Sequence, residues 1–366
     1  MTSDESPLAF TSSLAPYMAW AKTRPVPAYD LAGSNLVHCG LADLPGALEA
    51  IELTGDNGDG YPPLLQAIAE RYATTPEHVA STPGAAGANF LAFAAVVRPG
   101  DEVLVERPAY DPLLGALRLL GARITRFERR FEDGYAVDAD MVADALTPRT
   151  RLVVLTSPHN PSGALVSEDA LRALAAIAER TGARVLMDEV YLDAVYGRRP
   201  APAMRYCDRF ISTSSLTKSY GLAGLRCGWI LAEPEVAAAA RRARDVVDGN
   251  GPIAMDRLAL LAFRNLDRLE ARARGILEPN AARLASFIES RPELSWVRPE
   301  GGNVAFPRLR GVADTSAFVD RLLREHGTAI VPGAFFEAPS HVRIAFGCAP
   351  RTLAQGLAGI AAALDR

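Results

Sequence analysis

The chain is poor in cysteine and histidine and has no excess of positive charge. Its 366 residues include four cysteines (Cys39, Cys207, Cys227 and Cys348) and five histidines. No two cysteines form a C-x-x-C pair, and none stands at metal-ligand spacing from a histidine, so neither a zinc site nor a disulfide framework is expected. His38 precedes Cys39, but adjacent residues rarely ligate one metal. The cysteines read as reduced thiols in or near the core of a cytoplasmic protein. Lys and Arg number 39 against 43 Asp and Glu, a net charge of −4. No polybasic signature points to nucleic acid. The one short basic cluster, Arg241, Arg242 and Arg244, reads as a solvated helix face. No uninterrupted apolar run reaches membrane-spanning length, so no membrane partner is expected. The opening Met1-Thr-Ser-Asp-Glu-Ser is acidic and lacks the apolar core of a signal peptide.

What is present suits a globular protein large enough for two domains, with 49% apolar and 22% charged residues. Strand-like runs fall at Glu102–Glu106, Arg123–Phe127, Leu152–Leu155, Arg184–Met187, Phe210–Thr213 and Trp229–Ala232. Helical spacing fills the gaps at Pro112–Leu120, Asp138–Leu146, Ser167–Arg180 and Pro234–Val247. This alternation predicts an α/β fold with a mostly parallel sheet flanked by helices. Ligands in such folds collect at the carboxyl ends of the strands. A long helical pattern follows over Ile253–Arg291, and Pro279 should kink or break it. The rest reads as a smaller α+β unit. Its strands lie near Asn303–Phe306, Ala329–Val331 and Val342–Phe346, its helices near Thr315–His326 and Ala349–Leu364. The expected division is a large domain over 45–278, with 1–44 and 279–366 forming an N-terminal arm and a small domain.

The most informative stretch is Ser215-Leu-Thr-Lys218-Ser-Tyr-Gly-Leu-Ala-Gly-Leu-Arg226. A lysine among small and hydroxyl residues, between a strand and glycines, can form a Schiff base with an aldehyde cofactor. The arginine and hydroxyls can hold a phosphate on that cofactor. A surface lysine is the bland alternative. Asp188 follows the strand Val185-Leu-Met187, where a carboxylate can pair with a protonated ring nitrogen or simply cap a helix. Tyr191, three residues on, can reach a ring oxygen or merely pack. Asn160 sits in a sharp strand-end loop, Ser157-Pro-His-Asn160-Pro-Ser-Gly163, as a donor to the cofactor or a turn residue. His159 reads as structural. Thr82-Pro-Gly-Ala85-Ala86-Gly-Ala-Asn89 precedes a helix whose free N–H groups favour an anion. Tyr110 follows a strand and can stack on a flat ring or lie in the core. Arg343 stands inside the apolar strand Val342–Phe346. It needs an anion there, supplied either by a buried salt bridge or by a substrate carboxylate.

In order and spacing, this set resembles the aspartate aminotransferase-like, class I/II pyridoxal-phosphate enzymes of fold type I, from about Tyr61 to Arg343. The resemblance implies pyridoxal 5′-phosphate as cofactor and Lys218 as Schiff-base lysine and proton shuttle. It implies Asp188 at the pyridine nitrogen, Asn160 and Tyr191 at the ring oxygen, and Tyr110 stacked on the ring. It places Ser215, Arg226 and the backbone of Ala85 and Ala86 at the phosphate, and Arg343 at the α-carboxylate. Residues around Gly33, Ser34 and Asn35 join the substrate pocket. A homodimer is implied, each site completed by the partner chain.

Two departures stand out. Ala85 and Ala86 replace a customary hydroxyl residue, and Gly55 stands where a tyrosine lent by the partner is usual, with Tyr61 out of register. The implied reaction moves an amino group from an L-amino acid to a 2-oxo acid by ping-pong kinetics. The alternative is a synthase, lyase or oxidase of a modified amino acid, possibly basic, which the departures favour. A DNA-binding cofactor sensor is disfavoured, because the residues before the core show no helix-turn-helix pattern. The acids Asp245 and Asp248, where dicarboxylate enzymes can carry an arginine, point to a neutral or basic side chain, or merely to the end of a surface helix.

Overall fold

A computed structural model describes residues 14–365. The acidic Met1–Ser6 stretch lies outside the described residues.

Seven strands form the main sheet: β1 (Val79–Pro83), β2 (Glu102–Arg107), β3 (Arg123–Glu128), β4 (Thr150–Thr156), β5 (Arg184–Asp188), β6 (Phe210–Ser215) and β7 (Cys227–Leu231). Their spatial order is β1-β7-β6-β5-β4-β2-β3. All neighbours are parallel except β7, which runs against β1 and β6. Alternate side chains enter opposite faces, as the pleat requires. Val103, Val105, Leu152, Val154 and Leu186 pack beneath the helices Gly84–Val96, Asp111–Leu119 and Pro234–Val247. Leu104, Val153, Leu155, Val185 and Met187 face the helix Glu168–Thr181 on the other side. Burial on both faces explains why these strands read as continuous apolar runs.

The six expected strands are present with ends moved by one or two residues, and β1 is a seventh that the sequence pattern did not reveal. It is five residues of VASTP, too short and polar to stand out, yet it pairs along its whole length with β7.

Of the kink or break expected at Pro279, the break does not occur. One helix ends at Phe263, and the next runs from Leu266 to Glu289 straight through Pro279. Gly275 lies four residues before Pro279, so the hydrogen bond that proline forfeits is the one to the Gly275 carbonyl. Ala273, Leu277, Leu284 and Ile288 of the same helix are buried together and hold it in place.

Around that helix packs a second layer. Val342–Ala345 pairs antiparallel with Val304–Ala305 and Val331–Pro332. Helices Ser316–His326 and Pro350–Leu364 cover it. Tyr29–Asp30 pairs parallel with Thr328–Ala329, and Leu31 and Leu36 enter the same core. The basic cluster is a correction: Arg242 is exposed, but Arg244 is buried and bonds Ser81, and Arg241 bonds the Val79 carbonyl. These guanidiniums tie their helix to β1 instead of lying on a solvated face.

Candidate active site

The carboxyl ends of the parallel strands bring the singled-out residues to one edge of the sheet. Tyr110 follows β2, Asn160 follows β4, Asp188 ends β5, Ser215 ends β6 and Lys218 follows it. Because β7 runs the opposite way, its beginning lies at this same edge. Pro83 pairs with Cys227 and Ser215 with Gly228, so Arg226 meets the start of the helix Gly84–Val96. A cavity of about 340 Å³ opens there. Its walls include Ser34, Ala85, Ala86, Tyr110, Asn160, Asp188, Tyr191, Ser215, Lys218 and Arg226. Arg343 reaches it from behind Asn160.

Lys218 is on the short helix Leu216–Tyr220, started by the Ser215 hydroxyl, which accepts from the Thr217 N–H at 3.3 Å. Gly221 ends it at φ +73°, where a Cβ would lie 2.4 Å from the Val37 carbonyl oxygen. The lysine is thus fixed by a cap and a stop within five residues. Its Nζ donates to Ser34 Oγ and Asn35 Oδ1, each at 2.9 Å. No carboxylate among the described residues bonds it. Burial, then the Arg343 charge, push the amine down to about 7, against the pull of Asp188. A lysine so placed has a neutral amine to offer near neutral pH.

Asp188 Oδ2 accepts from Asn89 Nδ2 at 2.7 Å, and Oδ1 from the Val190 N–H at 3.1 Å. Thr213 Oγ1 donates to Asn89 Oδ1 at 2.6 Å, which fixes the amide's orientation. Burial raises this carboxyl above its usual range, and its bonds only partly offset that. A carboxylate with two neutral donors and a cavity in front of it suits a cationic ring nitrogen.

At the Arg226 end of the cavity, Gly84 has φ +79°, and a Cβ there would stand 2.5 Å from Arg226 Nη2. Only glycine lets the guanidinium pass this close. Arg226 itself is left-handed at φ +48° and donates to the Pro83 carbonyl at 3.1 Å. The first N–H groups of the helix Gly84–Val96 have no helical partner, and the exposed Ala86 leaves them accessible.

Arg343 is 0% exposed and forms no ion pair with any described residue. Its Nη1 donates to Asn160 Oδ1 at 3.1 Å, and Nη2 to Tyr17 Oη at 2.6 Å and the Ala32 carbonyl at 3.0 Å. The Tyr17 and Phe336 rings flank it. The buried salt bridge considered from sequence is therefore absent. The buried Tyr191 hydroxyl lies near Ser34 without a directed hydrogen bond, and its proton is held up to about 12 by burial. Tyr110 is half-buried, edge-on to Tyr17 at 5.9 Å. His159 is structural, bonded to Ser162 Oγ and the Pro108 carbonyl. No group of three or more metal-ligating side chains occurs among the described residues.

Asn89, Tyr17 and Thr156 also line this cavity and were not singled out from sequence. Asn89 had a readable signal, an amide inside an otherwise apolar helix. Tyr17 and Thr156 had none, since only the fold brings them to Arg343 and Asn160. Asp245 and Asp248, read as possible selectors of substrate charge, are engaged by Arg242 and Arg244 of their own helix.

The sequence profile of aminotransferase class I and II matches residues 50–360. The chain belongs to this family. Capreomycidine synthase of Streptomyces vinaceus is 37% identical over 81% of this chain and 77% of that protein. The arginine–pyruvate transaminase AruH of Pseudomonas aeruginosa is 32% identical over 77% and 75%. A pyridoxal-phosphate-dependent aminotransferase from Streptococcus suis superposes with a TM-score of 0.90 at 29% identity, covering 97% of this chain and 98% of that one. The architecture is that of fold type I, and the protein is a pyridoxal-phosphate-dependent aminotransferase. The site fits that cofactor, with an unpartnered buried hydroxyl on Tyr191, a carboxylate lacking a cation at Asp188, and a glycine-lined cradle beside Arg226.

Proposed function

We propose that the protein transfers the amino group of an L-amino acid with a neutral or basic side chain to a 2-oxo acid, using the residues gathered at the sheet edge. Asp188, Asn160, Tyr191, Tyr110, Ser215, Arg226 and the amides of Ala85 and Ala86 would hold the cofactor. When bound, pyridoxal phosphate supplies an electron-withdrawing ring that stabilises the carbanion left at Cα. Lys218, its amine partly neutral near pH 7, would take the Cα proton as general base and hold it on Nζ for return. Asp188 would pair with the ring nitrogen and favour its protonated form. Arg343 would attract the α-carboxylate and orient Cα toward Lys218. Ser34 and Asn35 accept from the lysine amine and hold it at the cavity wall.

The observation that carries this reading is a lysine amine held near neutrality on the cavity wall, with a fully buried arginine lacking an anion bonded to Asn160 of the same wall. The substrate range rests on the cavity's own charges. Among the described residues its wall holds no cation besides Lys218 and Arg226 for a second carboxylate, and the side formed by Met18, Ala21, Leu113 and Ala116 is apolar. The relative named for arginine–pyruvate transamination is consistent with this choice. We further propose a homodimer in the cytoplasm, with residues 45–278 as the cofactor domain and 1–44 with 279–366 as arm and small domain.

A second reading is favoured by the 37% identical capreomycidine synthase, namely that the site runs a ring-forming synthase reaction on a modified basic amino acid. Steady-state kinetics with a panel of amino acids against pyruvate and 2-oxoglutarate separates the two. Parallel double-reciprocal lines with arginine-like or neutral donors support transamination. Aspartate or glutamate far outpacing all others would overturn the substrate range. Product formed without any 2-oxo acid would favour the synthase.

A further inference from the structure

Behind the Asn160 loop, a buried polar relay runs from Glu106 and Arg129 to Thr156 on the cavity wall. Glu106, near the end of β2, is 0% exposed. Its Oε1 accepts from the Thr156 N–H at 2.7 Å and from the Thr156 hydroxyl at 2.6 Å. Its Oε2 accepts from Arg129 Nη1 at 2.8 Å. Arg129, 1% exposed, also donates to the Tyr135 carbonyl at 2.7 Å and the Thr156 carbonyl at 3.1 Å. Both ends of the Thr156 peptide and its side chain are thereby fixed from one side.

The direction of these bonds matters more than their number. A hydroxyl has one proton, and a carboxylate paired with arginine can only accept. The Thr156 proton therefore points at Glu106, and its lone pairs face away. There the Asn160 N–H donates to Thr156 Oγ1 at 3.0 Å. Asn160 Oδ1 in turn accepts from Arg343 Nη1 at 3.1 Å. The contacts run without a gap from a carboxylate under the sheet edge, through Thr156 and Asn160, to the Arg343 guanidinium.

We propose that Thr156, oriented by Glu106, is a positioning residue that sets Asn160 and, through it, the Arg343 guanidinium for the substrate carboxylate. This rests on the roles proposed above for Asn160 and Arg343. A valine at 156 has nearly the same shape but cannot accept the Asn160 N–H, whereas serine can. The Thr156→Val change thus isolates the hydroxyl from the packing.

The test compares wild-type, Thr156→Val and Thr156→Ser holoenzymes. Binding of 3-phenylpropionate, a carboxylate with no amino group, is measured by calorimetry, alongside KM and kcat for the amino donor and a crystal structure of each variant. Thr156→Val is expected to bind the carboxylate about tenfold more weakly and to raise KM more than it lowers kcat. Thr156→Ser is expected to restore both to within about twofold, since it keeps the same acceptor. Wild-type affinity in Thr156→Val would overturn the proposal, as would a loss that serine does not reverse. If the wild type neither binds the probe nor turns over amino acids, the reading of Arg343 has failed, and the crystal structures decide the positioning claim alone. An Asn160–Arg343 bond broken in Thr156→Val then supports it, and one unchanged overturns it.

Discussion

The depressed titration of Lys218 makes a stability prediction with a definite sign. Its amine is pushed from 10.5 to about 7 in the folded chain, by burial first and the Arg343 charge second. Unfolding returns it to about 10.4. Between these values the unfolded chain binds more protons, so stability rises with pH across that window. Below pH 7 both states are protonated, and the whole penalty of a buried cation is present. Linkage at about 1.36 kcal/mol per unit then gives a recovery of about 2 kcal/mol between pH 7 and 9. With about 2.1 cal/mol/K of unfolding entropy per residue, that is a shift of about 3 °C in melting temperature. The assay is scanning calorimetry of the cofactor-free wild type and of Lys218→Met at both pH values. The variant has no amine, so the wild type should gain on it by about 3 °C from pH 7 to 9. Arg343→Gln, which removes the second cause, should shrink that gain. A wild-type-minus-variant difference that stays flat from pH 7 to 9 would refute the reasoning.

Arg129→Met leaves the Glu106 carboxylate buried without its cation, which should cost about 3–5 kcal/mol and lower the melting temperature by about 4–6 °C. Arg343→Lys keeps the charge but not the forked geometry. KM for the amino donor should rise about 10- to 100-fold, with cofactor absorbance unchanged. Gly84→Ala puts a Cβ where Arg226 passes and demands φ +79° of alanine. Cofactor affinity measured by equilibrium dialysis should fall by about tenfold or more.

The sequence was most legible where chemistry and local geometry coincide. Lys218 lies between a serine cap and a glycine stop, and Asp188 ends an apolar strand. Both signals are short-range, and the fold placed both residues at the cavity. The strand β1 escaped notice because its pairing with β7 spans almost the whole large sheet region in sequence, and VASTP has no apolar alternation. Pro279 misled because the propensity of one residue is weaker than the burial of a long helix face. The supporting residues were least legible. Tyr17 meets Arg343 across 326 positions, and Glu106 meets Thr156 across 50. No periodicity or motif marks such pairs, since only the sheet order brings them together.

The central claim is that Lys218 and its neighbours carry reversible amino-group transfer. The most direct test is the absorption spectrum of the purified holoprotein before and after single amino acids are added, with Lys218→Ala as control. The account predicts that neutral or basic amino acids convert the cofactor's near-visible band to its pyridoxamine form. A 2-oxo acid should then restore the band, and Lys218→Ala should show neither change on the same timescale. A band that stays put with every amino acid, or a product that forms while the pyridoxamine form never appears, would contradict it.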